Sequence, residues 1–266
     1  MAKIILNADD FGRSLERNRA IDDSFKQGLI RSAGLMLTTE YLQDAINYIN
    51  NGDYVKNLHV HLNLSSTYRW DNESRDTPLT EAMRKDPYFC KDGKFVQYNG
   101  SPRRIFKVGT IRKWKTAYEE IVAQYNKFIE ITNGRGNTDH VDFHLWYNLS
   151  WPVAIALKVF TRKHHIKSVR YIGLHHKWYF GLFRIVSWNP HVKQYPAANI
   201  DYYLSKYSSF KKKDIIELYC HPNYKDGVLL DDSASYLKHE RQPMQKQIQL
   251  LKELGNVEFV SWESLV

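Results

Sequence analysis

Two carboxylates stand side by side near the start of the chain, in the run Asn7-Ala8-Asp9-Asp10-Phe11-Gly12, directly after the apolar Ile4-Ile5-Leu6. Further along, His59, His61 and Asn63 alternate with Leu58, Val60, Leu62 and Leu64, and a period of two puts the polar set on one face of a strand. Asp142 and His144 share a face opposite Phe143, Arg170 stands between Val169 and Tyr171, and His221 precedes Pro222 at the end of another apolar run. Each has an ordinary explanation alone. Paired aspartates favour turns and caps, strand histidines hydrogen-bond within cores, and arginines pair with carboxylates. Together they suggest chemistry. One carboxylate and two imidazoles are the ligand types of a catalytic divalent metal that keeps a position open for water. Such a metal acidifies its water and polarises a carbonyl. A second carboxylate would take the water's proton, and an imidazole across the site would protonate the leaving group. One aspartate of the pair would then bind metal and its neighbour would be the base, with an arginine nearby as its partner. The same triad suits a non-haem iron oxygenase, although those enzymes sit on antiparallel double-sheet barrels, a fold-level analogy.

The elements that must position these residues alternate. Strands are predicted at 3–8, 29–37, 57–64, 139–145, 166–173, 214–221 and 257–262, and helices at 14–27, 40–50, 113–132, after Pro152, and at 233–254. Ser14 is the expected N-cap of the first helix and Gly28 its C-terminal stop. Trp114, Tyr118, Ile121, Tyr125, Phe128 and Ile129 form an apolar stripe that would face the core. Alternation implies parallel strands and crossover helices, and no glycine-rich phosphate loop follows the first strand. The expected fold is therefore α/β, a distorted or incomplete TIM-like (β/α) barrel of about seven parallel strands. In that fold chemistry gathers at the C-terminal strand ends, where the polar residues fall. Residues 65–112 break the rhythm with Arg, Asp, Asn, Pro and Gly, a long excursion within a single domain spanning 1–266.

Hydrophobic residues at 43% and charged residues at 25% allow a sizeable core. The N-terminal apolar run is too short for a signal peptide and no stretch spans a bilayer, so a cytoplasmic protein is expected, with Cys90 and Cys220 as reduced thiols. A net charge of +9 suits an acidic partner or simple solubility. The cations are scattered and no nucleic-acid module appears, so no nucleic acid is expected. The basic and aromatic segment 174–188 fits a lid or a subunit contact in a homo-oligomer better than a peripheral membrane contact. With 18 Tyr, 7 Trp and 12 Phe, most rings are expected in the core.

These motifs resemble the YdjC/ChbG-like carbohydrate deacetylase family. "LNADDFG" resembles the family's opening "INADDFG", and the likeness continues through Asn18, Ile21, Gly28 and "LMLT" at 35–38. "HLNL" at 61–64 resembles "GLHLNLT", "VDFH" at 141–144 resembles "IDSH", and "ELYCHPNY" at 217–224 resembles "EIMCHPG". The resemblance implies removal of N-acetyl groups from amino sugars by a divalent metal, zinc or magnesium, in a distorted TIM-like barrel. It implies Asp10, His61 and His144 as ligands, Asp9 as base, His221 as general acid and Arg170 beside them. Trp146 and Asn148 stand where the family usually has further histidines, and His59 stands where it usually has glycine. These three are read as substrate-side changes, with His59 either compensating for a missing imidazole or equally a packing change, and Tyr68, Trp70 and Trp146 as the rings that would stack on a sugar. The alternative is a catalytically impaired glycan-binding protein on the same scaffold.

Overall fold

The structure is a computed structural model and describes residues 1–66, 76–96, 108–144, 150–170, 192–196, 215–233, 243–253 and 255–265. Strand β1 (Ala2–Phe11) is its axis, ten residues with almost no solvent contact, as an apolar run covered on both faces should be. Parallel strands flank it: β2 (Ser32–Leu35), β3 (Leu58–Leu62), β6 (His140–Phe143), β7 (Ser168–Val169), β8 (Val192–Pro196), β9 (Ile215–Cys220) and β12 (Val257–Val260). The spatial order is β7-β6-β3-β2-β1-β9-β8. Taken as a circle, that order follows the chain, as in a (β/α) barrel. The circle closes between β9 and β1, and among the described residues no pairing joins β7 to β8. This is a curled, incomplete barrel. The seven predicted strands are all present, most of them shorter, and β8 is the strand of this sheet that was not predicted.

β12 adds the main distortion. β9 covers Lys3–Ala8 on one edge of β1, while β2 pairs with Asn7–Phe11 and β12 with Ala2–Ile5. β2 and β12 therefore share the remaining edge, one above the other.

Helix α1 (Leu15–Lys26) begins and ends as its sequence dictates. Ser14 Oγ accepts from the Arg17 backbone N. At the other end Gly28 takes φ +66°, and the Gly28 and Leu29 N–H groups donate to the Phe25 and Ser24 carbonyls in a Schellman closure. Helix α2 (Leu42–Asn51) follows. In the excursion, α3 (Glu81–Lys85) and a hairpin of β4 (Cys90–Lys91) and β5 (Lys94–Phe95) bury Met83, Phe89 and Phe95 in the main core, so part of this insert is packed structure. Helix α4 (Trp114–Ile131) buries Ile121, Tyr125 and Phe128 of the expected stripe. It also buries Glu120 and Gln124, which the stripe did not include. Gln124 exchanges hydrogen bonds with the Asn63 backbone, and Glu120 accepts from the Leu79 and Thr80 N–H groups. Helix α5 (Trp151–Lys163) carries Pro152 in its first turn, where a missing N–H costs nothing. A hairpin of β10 (Pro222–Lys225) and β11 (Val228–Asp231) follows β9. Helix α6 (Met244–Glu253) covers the later part of the expected 233–254, Pro243 directly before it bridges to Leu230, and 234–242 lie outside the described residues. No helix of the described residues is long and apolar enough to cross a membrane.

Candidate active site

The paired aspartates explain themselves in the backbone. Successive side chains of a strand point to opposite faces, yet Asp9 and Asp10 are both buried on the same site. The register between β1 and β2 shifts between Ala8 and Phe11, so β1 spends one residue more than β2 there. Asp10 takes φ +68° in that bulge. A bulge re-aims a side chain, and aspartate tolerates the left-handed region better than most residues. The following Gly12 has φ +103°, and a Cβ there would sit 2.9 Å from the Met36 carbonyl. Its N–H donates to Asn18 Oδ1 at 2.7 Å.

Around Asp10 the contacts are with bases. Asp10 Oδ1 lies 2.8 Å from His144 Nδ1, and Arg13 Nη1 donates to Oδ2 at 2.7 Å. His61 Nε2 lies 3.3 Å from Asp10 Oδ1 without the alignment of a hydrogen bond. Burial alone would raise the Asp10 carboxyl, but His144 and Arg13 hold it well below the usual carboxylate range. Asp10, His61 and His144 each offer one atom to a common point, all within 4.8 Å of one another.

Behind them lies a layer of paired charges. Asp142 Oδ1 is 2.6 Å from His61 Nδ1, and Asp142 Oδ2 is 2.8 Å from His59 Nε2. Arg170, only 1% exposed, donates to Asp9 through both terminal nitrogens at 2.6 and 2.8 Å. It also reaches Asp142 at 2.8 Å and donates from Nε to Glu217 at 2.9 Å. Asn7 Nδ2 adds a bond to Asp9 Oδ1 at 2.9 Å. Burial would raise the Asp142 carboxyl too, but Arg170, His59 and His61 hold it well down. Burial pushes Glu217 up, against the pull of Arg170. His221 stands opposite, Nε2 at 3.9 Å from both Asp9 Oδ2 and Asp10 Oδ2, and burial pushes its imidazole down.

Two features fit a divalent cation. First, His61 Nε2 and His144 Nε2 are buried and have no hydrogen-bond partner among the described residues. A buried polar atom without a partner is costly, and Asp142 on Nδ1 would leave His61 Nε2 as a bare lone pair, the arrangement of a metal-bound histidine with its supporting carboxylate. Second, the carboxylates Asp9, Asp10, Asp142 and Glu217 outnumber the guanidinium groups of Arg13 and Arg170, an excess of negative charge that protonated imidazoles or a bound cation would offset.

The expected ligands, base, acid and arginine thus meet at the C-terminal strand ends. His59 does not reach the open side. It is fully buried, with Nε2 on Asp142 and Nδ1 3.3 Å from Ser32 Oγ, and offers no atom to a substrate. Tyr68, Trp70, Trp146 and Asn148 lie outside the described residues, as does segment 174–188. Sequence reasoning put Asp142 on the right face without giving it a role, and it missed Glu217, Asn7 and Arg13. Glu217 had a signal: a lone charge inside the apolar run Ile215–Cys220.

The YdjC-like protein family model matches residues 3–255. A "Carbohydrate deacetylase 2" of Listeria innocua is 24% identical over 99% of this chain and 98% of its own. A "Carbohydrate deacetylase" of Vibrio parahaemolyticus is 26% identical over 94% of this chain and 90% of its own. A solved structure from Enterococcus faecalis V583, named for cellobiose-phosphate cleavage, shares the fold at TM-score 0.68 and 19% identity, covering 100% of this chain and 99% of that one.

Proposed function

The chain belongs to the YdjC-like protein family, and from that premise we propose that it is a metal-dependent carbohydrate N-deacetylase acting on an N-acetylated amino sugar. The observation that carries this reading is the pair of buried, unpartnered Nε2 atoms of His61 and His144 beside Asp10, with Asp9 and His221 within reach. Asp10, His61 and His144 would hold one divalent ion. Two imidazoles favour zinc or another transition metal, and the family resemblance also allows magnesium. When bound, the ion supplies Lewis acidity to the acetamide oxygen and lowers the pKa of a water.

The side chains do the rest. Asp9 is the base: Arg170 and Asn7 fix its orientation, and a carboxylate holding those bonds keeps lone pairs for a water proton. The water attacks the acetyl carbon. His221 gives a proton to the departing nitrogen as the carbon–nitrogen bond breaks, and acetate and a free amino sugar leave. Arg170 touches no open space and acts by positioning Asp9.

Elemental mass spectrometry of the purified protein beside His144→Ala tests this, together with acetate release from a panel of N-acetylated amino sugars. The expected result is roughly one equivalent of metal in the wild type, lost in the variant, and acetate from at least one sugar. No metal after reconstitution with zinc, magnesium, manganese or cobalt would overturn the reading and leave a glycan-binding protein on this scaffold.

A further inference from the structure

Ser233 stands outside every motif considered above, at the exit of the β10–β11 hairpin. It is 2% exposed, and its Oγ lies 2.6 Å from His221 Nδ1. One atom sets up this contact. Asp231 Oδ1 accepts from the backbone N of His221 at 2.9 Å and from the backbone N of Ser233 at 2.9 Å. The Asp232 N–H closes the same loop on the His221 carbonyl at 2.9 Å. The end of β9 and the end of β11 are thus stapled together, and the staple delivers the serine hydroxyl to the side of the ring away from Asp9 and Asp10. The atom left on the near side is Nε2.

We propose that Ser233 is a positioning residue for His221, an inference that rests on the deacetylase reading. A histidine ring turns freely about two torsions unless something holds it. Ser233 Oγ accepts the Nδ1–H and fixes both torsions, so the proton that can move is the one on Nε2. In the step itself the Nε2–H bond breaks and a nitrogen–hydrogen bond forms on the leaving amine as the acetyl carbon–nitrogen bond breaks. The Nδ1–H stays on Ser233, and the ring returns neutral with a bare Nε2.

Ser233→Ala is expected to lower kcat for acetate release roughly tenfold, a part of the 10²–10⁴ that a positioned acid supplies, with KM and metal content unchanged. Ser233→Thr keeps the hydroxyl and restores the rate. In a His221→Ala background Ser233→Ala has no further effect, because the anchor has nothing left to hold. Three results would overturn the proposal: wild-type kcat in Ser233→Ala, failure of Ser233→Thr to rescue, or an equal loss in the His221→Ala background. A wild-type protein that holds metal but releases no acetate from any sugar would instead overturn the reading on which the proposal rests.

Discussion

His61 and His140 lie on adjacent strands, both buried beyond the reach of water, and are driven in opposite directions. Burial lowers the pKa of each. His61 sits between Asp142 and Asp10, at 2.6 and 3.3 Å, and is pushed up to about 10 despite its burial. His140 stacks on Trp262 at 3.9 Å and meets His59 edge-on at 4.6 Å, and burial with the neighbouring His59 holds it well below the ordinary value. Its Nδ1 lies 2.6 Å from Ser168 Oγ, and its Nε2, like that of His61, has no hydrogen-bond partner among the described residues. Depth therefore does not separate the two imidazoles. The carboxylates beside His61 do, and those carboxylates are where the comparison can be broken.

The largest effect is expected from Asp9→Asn. It removes the carboxylate proposed as base and leaves Arg170 with Glu217 and Asp142 as partners, so the protein should fold with the proposed metal ligands in place. Turnover should fall by about 10²–10⁴, read as acetate release beside elemental analysis. Full activity in this variant would remove Asp9 from the mechanism. Asp142→Asn comes next. It weakens the acceptor that fixes His61, and metal affinity should drop roughly 10–100-fold, measured by competition with a chelator. Gly34→Ala presses on the same pair sterically. A Cβ there would lie 2.9 Å from His61 Cβ and 3.1 Å from Asp142 Oδ1, and His61 Cβ is fixed to the β3 backbone, so the strand itself must shift. Metal affinity should fall here too, read by the same competition, and an unchanged affinity would mean that the His61–Asp142 geometry does not set it.

The alternation at 57–64 and 139–145 was enough to place His61, Asp142 and His144, because period two fixes a face whatever the fold. It was not enough to separate His59 from His61. Both share that face, and only the depth of β3 in the curled sheet decides which one meets the opening. The adjacent aspartates were legible as a motif, but period two forbids them a common face; the bulge that gives them one depends on the shifted pairing of β2. β8 and the packed part of the excursion were hidden for a different reason. β8 is set by its pairing with β9, and the burial of the excursion by contacts distant in sequence, which no local period reports. Ser233 was hidden in the same way, since its role depends on a hairpin closing over Asp231.

The smallest effect is also the most direct test of the comparison: the pH dependence of stability in metal-free protein. A raised folded pKa means that the His61 contribution is complete below the ordinary value of 6.5 and is lost as pH rises through about 10. A depressed folded pKa means the opposite for His140: its contribution is complete above 6.5 and is lost as pH falls below it. Each group can contribute at most about 1.4 kcal/mol per pH unit. Asp10 and Asp142, held low, lose their contributions only below about pH 4, whereas His221 and His164, also held below 6.5 by burial, add to the acid limb. Urea midpoints across this range should therefore fall on both sides of a maximum. His140→Phe should reduce only the acid limb, leaving the part that His221 and His164 supply, and His61→Asn should reduce only the alkaline one. Adding the divalent ion should flatten the alkaline limb as well, because the ion and the His61 proton compete and binding tightens as pH rises. An acid limb unchanged in His140→Phe would mean that His140 is not the group that burial holds neutral, and the contrast between the two imidazoles would rest on His61 alone.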